Sequence, residues 1–145
     1  MFNPRDIFQK ISYIQYPLLL IAMFYVFRPY YLGFDTLWEN YNYGLIFMGL
    51  GISFSTLQDT TKTQNKLSKK IWEHPKKGKI ALVIMGLIAL YFVLIGLFGI
   101  YISNSEVLQQ ISFGMLVLGI GLIGMLKSAI EMFENHRLDK NANVQ

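Results

Sequence analysis

Apolar residues in this chain are gathered into long uninterrupted runs. The clearest run covers residues 80–102 and includes no charged side chain. A helix of this length is about 35 Å long, which is enough to cross the roughly 30 Å hydrocarbon core of a bilayer. A helix that is apolar on every face belongs in lipid or among other membrane helices. The run therefore predicts a transmembrane helix.

Three further runs have the length of a membrane crossing. We predict spans at about residues 11–32, 41–59 and 107–127, in addition to 80–102. Pro17 lies near the start of the first span and should kink it, because proline has no N–H to donate. The predicted fold is an all-α integral membrane protein, with four transmembrane helices forming an up-down bundle in a single domain, residues 1–145.

The basic residues predict the orientation of these spans. Two precede the first span, seven lie in the hydrophilic connection at 60–79, and three lie at or beyond the end of the fourth span. Arg28 alone falls on the opposite side of the membrane. Short cytoplasmic segments of membrane proteins carry an excess of Lys and Arg. We therefore predict that both termini, the connection and an amphipathic helical extension at 128–138 are cytoplasmic.

The composition is typical of a membrane protein, and it limits the classes of partner that we expect. The chain is 53% hydrophobic and 15% charged, whereas soluble domains have about 25% charged residues. Its net charge of +4 is concentrated beside the spans. We therefore expect the partner of these charges to be anionic lipid and not nucleic acid. The expected location is the bacterial cytoplasmic (inner) membrane.

The connection holds the predicted lipid contact. Tryptophan favours the headgroup level of a bilayer, and lysines near the surface attract anionic headgroups. The residues expected to make this contact are Lys69, Lys70, Trp72, Lys76, Lys77 and Lys79.

The sequence offers little for catalysis. The chain has no cysteine, and its two histidines, His74 and His136, do not stand in a metal-binding spacing. Neither a glycine-rich phosphate loop nor a nucleophile-elbow pattern is present. We predict a protein that is not an enzyme and that has no cofactor or metal site.

Polar residues gather at the end of the second predicted span and leave two interpretations open. The set comprises Ser53, Thr56, Gln58 and Asp59. These side chains could line a pore built from several copies of the chain. Alternatively, they make ordinary hydrogen bonds between helices. The span centres contain no ionisable residue, which disfavours a proton-coupled carrier.

Small residues recur in the spans and predict close helix packing. The set is Gly44, Gly49, Gly51, Gly86, Gly96, Gly114, Gly121 and Ser128. The last three of these are spaced by seven residues, so they share one helix face. Such a stripe packs either against another helix of the same chain or against a second copy.

Arg28, Asp35 and Glu39 form a charged group that is predicted to lie on the outer side. They could form an ion pair that fixes the outer loop, or they could surround a binding mouth. For the whole chain, two functions remain open. One is a small non-catalytic membrane subunit that self-associates or docks into a larger membrane complex. The other is a small homo-oligomeric channel or transporter.

Overall fold

The computed structural model describes residues 4–61 and 66–141, and the regular elements in these two ranges are all helical. They are α1 (Pro4–Ser12), α2 (Gln15–Phe27), α3 (Pro29–Leu32), a 3₁₀ turn (Phe34–Thr36), α4 (Leu37–Ser55), α5 (Lys66–Trp72), α6 (Pro75–Tyr101), α7 (Glu106–His136) and α8 (Leu138–Asn141). Three helical segments of the described chain are long and apolar enough to cross a membrane. They are Arg5–Leu32, which combines α1 to α3, Pro75–Tyr101 and Glu106–His136. The all-α class is confirmed.

The first of these segments is interrupted at two prolines. The helices are interrupted at Tyr13, one turn before Pro17, and at Arg28, immediately before Pro29, although the backbone dihedral angles of Arg28 remain helical. Pro17 cannot donate to the Tyr13 carbonyl, and its ring would clash with that group. The carbonyl instead accepts the N–H of Tyr16 at 3.1 Å. The predicted kink is therefore confirmed, and the predicted 11–32 span is divided between α2 and α3.

Helix α4 begins and ends about one turn earlier than the predicted span at about 41–59. Local hydrogen bonds end the helix. The hydroxyl of Ser55 donates to the Ile52 carbonyl at 2.6 Å, and that of Thr56 donates to the Ser53 carbonyl at 2.7 Å. Hydroxyls that bind nearby carbonyls in this way compete with continued helix. Gln58 and Asp59 consequently lie in the turn beyond α4.

The four longest helices pack as a row in the order α2, α4, α7, α6. Thus α4 lies between α2 and α7, and α7 lies between α4 and α6. In the described residues, α2 and α6 make no extensive contact with each other. Neighbours in sequence run antiparallel within the row, whereas α4 and α7 run parallel. The row leaves one flank of α2 and one flank of α6 without a helix against it.

The parallel contact between α4 and α7, which we call the α4/α7 seam, has the same seven-residue interval on both helices. Facing residues across it are Asn42 with Gly114, Gly49 with Gly121, and Thr56 with Ser128. The Asn42 Oδ1 accepts the Gly114 N–H at 2.6 Å, and the Ser128 hydroxyl donates to the Thr56 carbonyl at 3.1 Å. At the centre, a Cβ on Gly121 would overlap the Gly49 carbonyl oxygen. Glycine therefore allows the two backbones to touch.

Other glycines serve the two antiparallel contacts. A Cβ on Gly44 would lie 3.1 Å from Val26 of α2, and one on Gly51 would lie 3.1 Å from Leu19. A Cβ on Gly96 would lie 2.8 Å from the backbone nitrogen of Leu116 in α7. Gly86 differs, because its nearest neighbour would be a Leu126 methyl at 3.6 Å, an ordinary contact.

The end of the row that carries α5 and the first turn of α6, here called the basic end, is closed by local packing. Gly78 of α6 lies against the ring of Phe133, which is buried in α7. The N–H of Leu138 donates to the Glu73 carbonyl at 3.2 Å. Helix α7 itself continues to His136, well past the predicted span end at 127 and through most of the predicted 128–138 extension. This part of α7 packs against α6.

Candidate functional site

A cleft of about 330 Å³ opens at the basic end, where α2, α4, α6 and α7 come together. We call it the basic-end cleft. Its lining combines apolar helix faces with the polar turn that follows α4. The lining residues are Gln15, Tyr16, Ser55, Thr56, Gln58, Asp59, Thr60, Trp72, Met85, Met125, Ser128, Ala129 and Met132.

One wall of this cleft is methionine-rich. Met85 comes from α6, whereas Met125 and Met132 come from α7 with Ala129 between them. The intervals of four and three residues place these three α7 positions on one helix face. Methionine side chains are unbranched and flexible, so they adapt to ligands of irregular shape. This wall is therefore suited to an apolar chain.

The opposite wall is polar and well ordered by hydrogen bonds. The Asp59 carboxylate accepts both the N–H and the hydroxyl of Thr61, at 3.0 and 2.7 Å. The Asp59 N–H donates to the Gln9 side chain at 3.0 Å, which fastens α1 to this turn. Gln15 is only 7% exposed. The cleft thus has an apolar half and a polar half.

The structure brings three of the four predicted pore-lining residues into the basic-end cleft. Thr56, Gln58 and Asp59 line it, but Ser53 does not. The Ser53 hydroxyl donates to the Gly49 carbonyl at 2.9 Å, and the Thr56 hydroxyl donates within its own turn. The three lining residues therefore face a cleft inside one chain, between its own helices.

The residues predicted to contact lipid lie around the mouth of the same end. Lys69, Lys70, Lys76, Lys77 and Lys79 are all exposed. The ammonium of Lys69 is 3.6 Å from a Glu73 carboxylate oxygen. Trp72 is partly buried, because its side chain forms part of the cleft lining.

The predicted outer charge cluster does not form an ion pair. Arg28, Asp35 and Glu39 all belong to the described chain, and its ion pairs include none between them. The Arg28 guanidinium instead lies over the Tyr25 ring, 5.8 Å from its centroid. Asp35 and Glu39 are exposed to solvent. The ion pair was one of the two interpretations left open for this group, and it is not formed among these described residues.

The two histidines have different surroundings. His74 is exposed just before α6, and the His136 Nδ1 is 2.8 Å from the Met132 carbonyl oxygen. Within residues 4–61 and 66–141, no three His, Asp or Glu side chains come together as a metal site would require.

Sequence reasoning missed Asn42, Gln15 and the methionine wall. Asn42 could have been found, because Asn42, Gly49 and Thr56 repeat the seven-residue interval of the stripe on α7. The methionine wall could not, because it depends on which face of α6 meets α7. Comparison of the chain with protein-family models, with curated proteins and with solved structures finds no match in any of the three.

Proposed function

We propose that this chain is a small non-catalytic integral membrane subunit that self-associates or docks into a larger membrane complex. In this proposal α4 is a fourth membrane crossing, both termini are cytoplasmic, and the membrane is the bacterial cytoplasmic (inner) membrane. Anionic lipid contacts the lysines of the basic end. Helix α4 is less apolar than the three segments above, yet it has about 28 Å of helix and lies between two of them.

The main support for this proposal is that polar and small residues of α4 and α7 make contacts between helices of the chain. Asn42, Ser128 and the carbonyl of Thr56 hydrogen-bond across the α4/α7 seam, and Gly49 meets Gly121 between them. Polar groups in membrane helices commonly serve as such interhelical contacts. This use supports a structural role for the seam.

Docking would use the two free flanks of the row. Helix α2 exposes Leu20 and Phe24, at 66% and 63%, and α6 exposes Val83 and Leu87, at 61% and 62%. Each of these helices packs against only one other long helix. A further membrane helix could therefore pack on either flank without displacing a contact inside the chain.

The alternative is a homo-oligomeric channel or transporter, and the same geometry favours it less. A shared pore needs polar groups on an outward-facing helix surface, whereas Thr56, Gln58 and Asp59 line an internal cleft. Beyond this cleft, the groove between α2, α4 and α7 at the opposite end is lined mainly by apolar residues: Val26, Trp38, Tyr41, Gly44, Leu45, Met48, Ile111 and Met115. A continuous polar path is therefore not favoured.

Site-specific photocrosslinking in native membranes tests the proposal. A photoreactive residue at Leu20 or Leu87 should give a discrete product with a second copy or another membrane protein. Leu118, which is 5% exposed, is the matched buried control and should give none. Products restricted to lipid at both flanks would contradict docking. Liposome flux tests the alternative, because a channel should leak ions and the Ser53→Ala/Thr56→Ala/Gln58→Ala variant should alter that leak.

A further inference from the structure

The basic-end cleft has the chemical character of a site for an amphipathic molecule. Met85, Met125 and Met132 form its apolar half, and Gln15 and Gln58 belong to its polar half. Its volume, about 330 Å³, is near the lower limit of the roughly 300–1,000 Å³ found for ligand pockets. There is accordingly room for part of a lipid, such as one acyl chain, but not for a whole molecule.

The charges beside the cleft determine whether it favours a lipid with an anionic or a cationic headgroup. Lys76, Lys77 and Lys79 lie in the first turns of α6, where the first turn contains no acidic residue. The N-terminus of a helix carries partial positive charge, so cations there are unfavourable unless an anion offsets them. Lys70 adds an exposed cation within one turn of Trp72, and Lys69 adds another whose charge is partly offset by Glu73 at 3.6 Å. This side of the cleft therefore favours an anion.

Among the described residues of the cleft lining, Asp59 is the one carboxylate, and its Oδ1 is hydrogen-bonded within its own loop. The Asp59 Oδ1 accepts two hydrogen bonds from Thr61, at 3.0 and 2.7 Å. Asp59 also lies in the turn after α4, whereas the lysines belong to α5 and α6. An anionic headgroup would consequently be held at the α5/α6 side, next to Trp72.

We propose that the basic-end cleft binds one anionic phospholipid of the cytoplasmic leaflet. One acyl chain lies against Met85, Met125 and Met132, and the phosphate lies at the mouth among the lysines of α5 and α6. Trp72 lies between the two parts. This inference rests on the membrane placement and lipid contact of the proposed function, but it adds a specific site inside the chain. It does not depend on docking to another protein.

Lipid retention tests the proposal with a cleft-filling variant and a matched control. The protein is reconstituted in nanodiscs of equal phosphatidylglycerol and phosphatidylcholine, extracted in mild detergent, and analysed by native mass spectrometry. The wild type should retain one phosphatidylglycerol per chain. Met125→Trp places a larger ring in the cleft and should lower this retention at least fivefold. Ile123→Trp, on a position that is 51% exposed on the same helix, should leave it unchanged.

The outcomes separate the cleft from a general surface contact. Equal retention by Met125→Trp and Ile123→Trp would overturn the cleft. If Lys76→Gln/Lys77→Gln nevertheless lowered phosphatidylglycerol retention, the lipid would bind the surface lysines, as in the proposed function, and not the cleft. Equal retention of phosphatidylcholine and phosphatidylglycerol by the wild type would overturn the anionic selectivity. Circular dichroism of each variant checks its helical content.

A second measurement detects the bound lipid through the fluorescence of Trp72. The chain has two tryptophans, so Trp38→Phe leaves Trp72 as the sole tryptophan, whose emission can be excited selectively over that of tyrosine. Phosphatidylglycerol brominated on an acyl chain should quench Trp72 several-fold more strongly than brominated phosphatidylcholine at the same bilayer fraction. In the Trp38→Phe background the cleft is filled with Met125→Phe, because Met125→Trp would introduce a second tryptophan. Met125→Phe should remove the difference in quenching between the two brominated lipids. Equal quenching by the two lipids would contradict the proposal.

Discussion

Replacement of Gly121 by alanine tests whether backbone contact holds the α4/α7 seam together. The new Cβ would overlap the Gly49 carbonyl oxygen and would lie 3.1 Å from the Gly49 carbonyl carbon. These are backbone atoms of a helix, so no side-chain rotation can relieve the contact. Helices α4 and α7 would have to separate, which would also stretch the hydrogen bonds of Asn42 and Ser128 across the same seam.

The expected loss can be worked from these contacts. Overpacking of a close contact costs about 1–3 kcal/mol. Each interhelical hydrogen bond that is lost removes about 0.6 kcal/mol on average. Alanine returns up to about 1 kcal/mol through its higher helix propensity. The free energy of unfolding of Gly121→Ala should therefore fall by about 1–3 kcal/mol relative to the wild type.

Gly86→Ala is the matched control, because it makes the same chemical change in a neighbouring helix. Its Cβ would meet only a Leu126 methyl, at 3.6 Å. This variant should be as stable as the wild type, or more stable by up to about 1 kcal/mol. The assay is reversible unfolding in mixed detergent micelles, followed by circular dichroism. A Gly121→Ala variant as stable as Gly86→Ala would refute the seam. Because the seam joins two helices of one chain, the oligomer size of Gly121→Ala should match that of the wild type.

Two further predictions concern the ends of α7. Asn42→Ala should lower the free energy of unfolding by about 0.6–1.7 kcal/mol in the same assay, because the Gly114 N–H loses its side-chain acceptor. The control is Gln110→Ala, at an exposed position, which should leave the free energy of unfolding unchanged. At the basic end, the Cβ added by Gly78→Ala would overlap the buried Phe133 ring. If this overlap lowers the free energy of local opening by about 1 kcal/mol, trypsin should cleave at the α5/α6 lysines about fivefold faster. Phe133→Leu in the same chain should restore slow cleavage by making room, and no difference between these variants would contradict this packing.

The elements that the sequence predicted well are those whose signals are local. The run at 80–102 has no charge to interrupt it, and Pro17 removes a backbone donor, so the helix and the kink follow directly. The end of α4 was predicted too late, because Ser55 and Thr56 bond to nearby carbonyls in place of continuing the helix.

The site depends on contacts that no local pattern specifies. The seven-residue stripe on α7 was recognised, but its partner could not be chosen between another helix of the chain and a second copy. The structure places Gly121 against Gly49 of the same chain. Similarly, Thr56 and Met125 are far apart in sequence, and they line one cleft only because α4 and α7 run parallel. Helix order in the row is therefore the information that the sequence pattern lacked.

The most direct test of the proposed four-span membrane subunit is the membrane sidedness of single cysteines. The natural chain has no cysteine, so each introduced thiol is the sole reporter. Cysteines at Glu39 and Asn104 should react with an impermeant maleimide added to intact cells, whereas cysteines at Lys70 and Asn143 should react only after the membrane is opened. Asn143 lies outside the described residues, so this position tests the sequence prediction alone. Labelling at Glu39 and Lys70 from the same side would show that α4 does not cross the membrane and would contradict the four-span account.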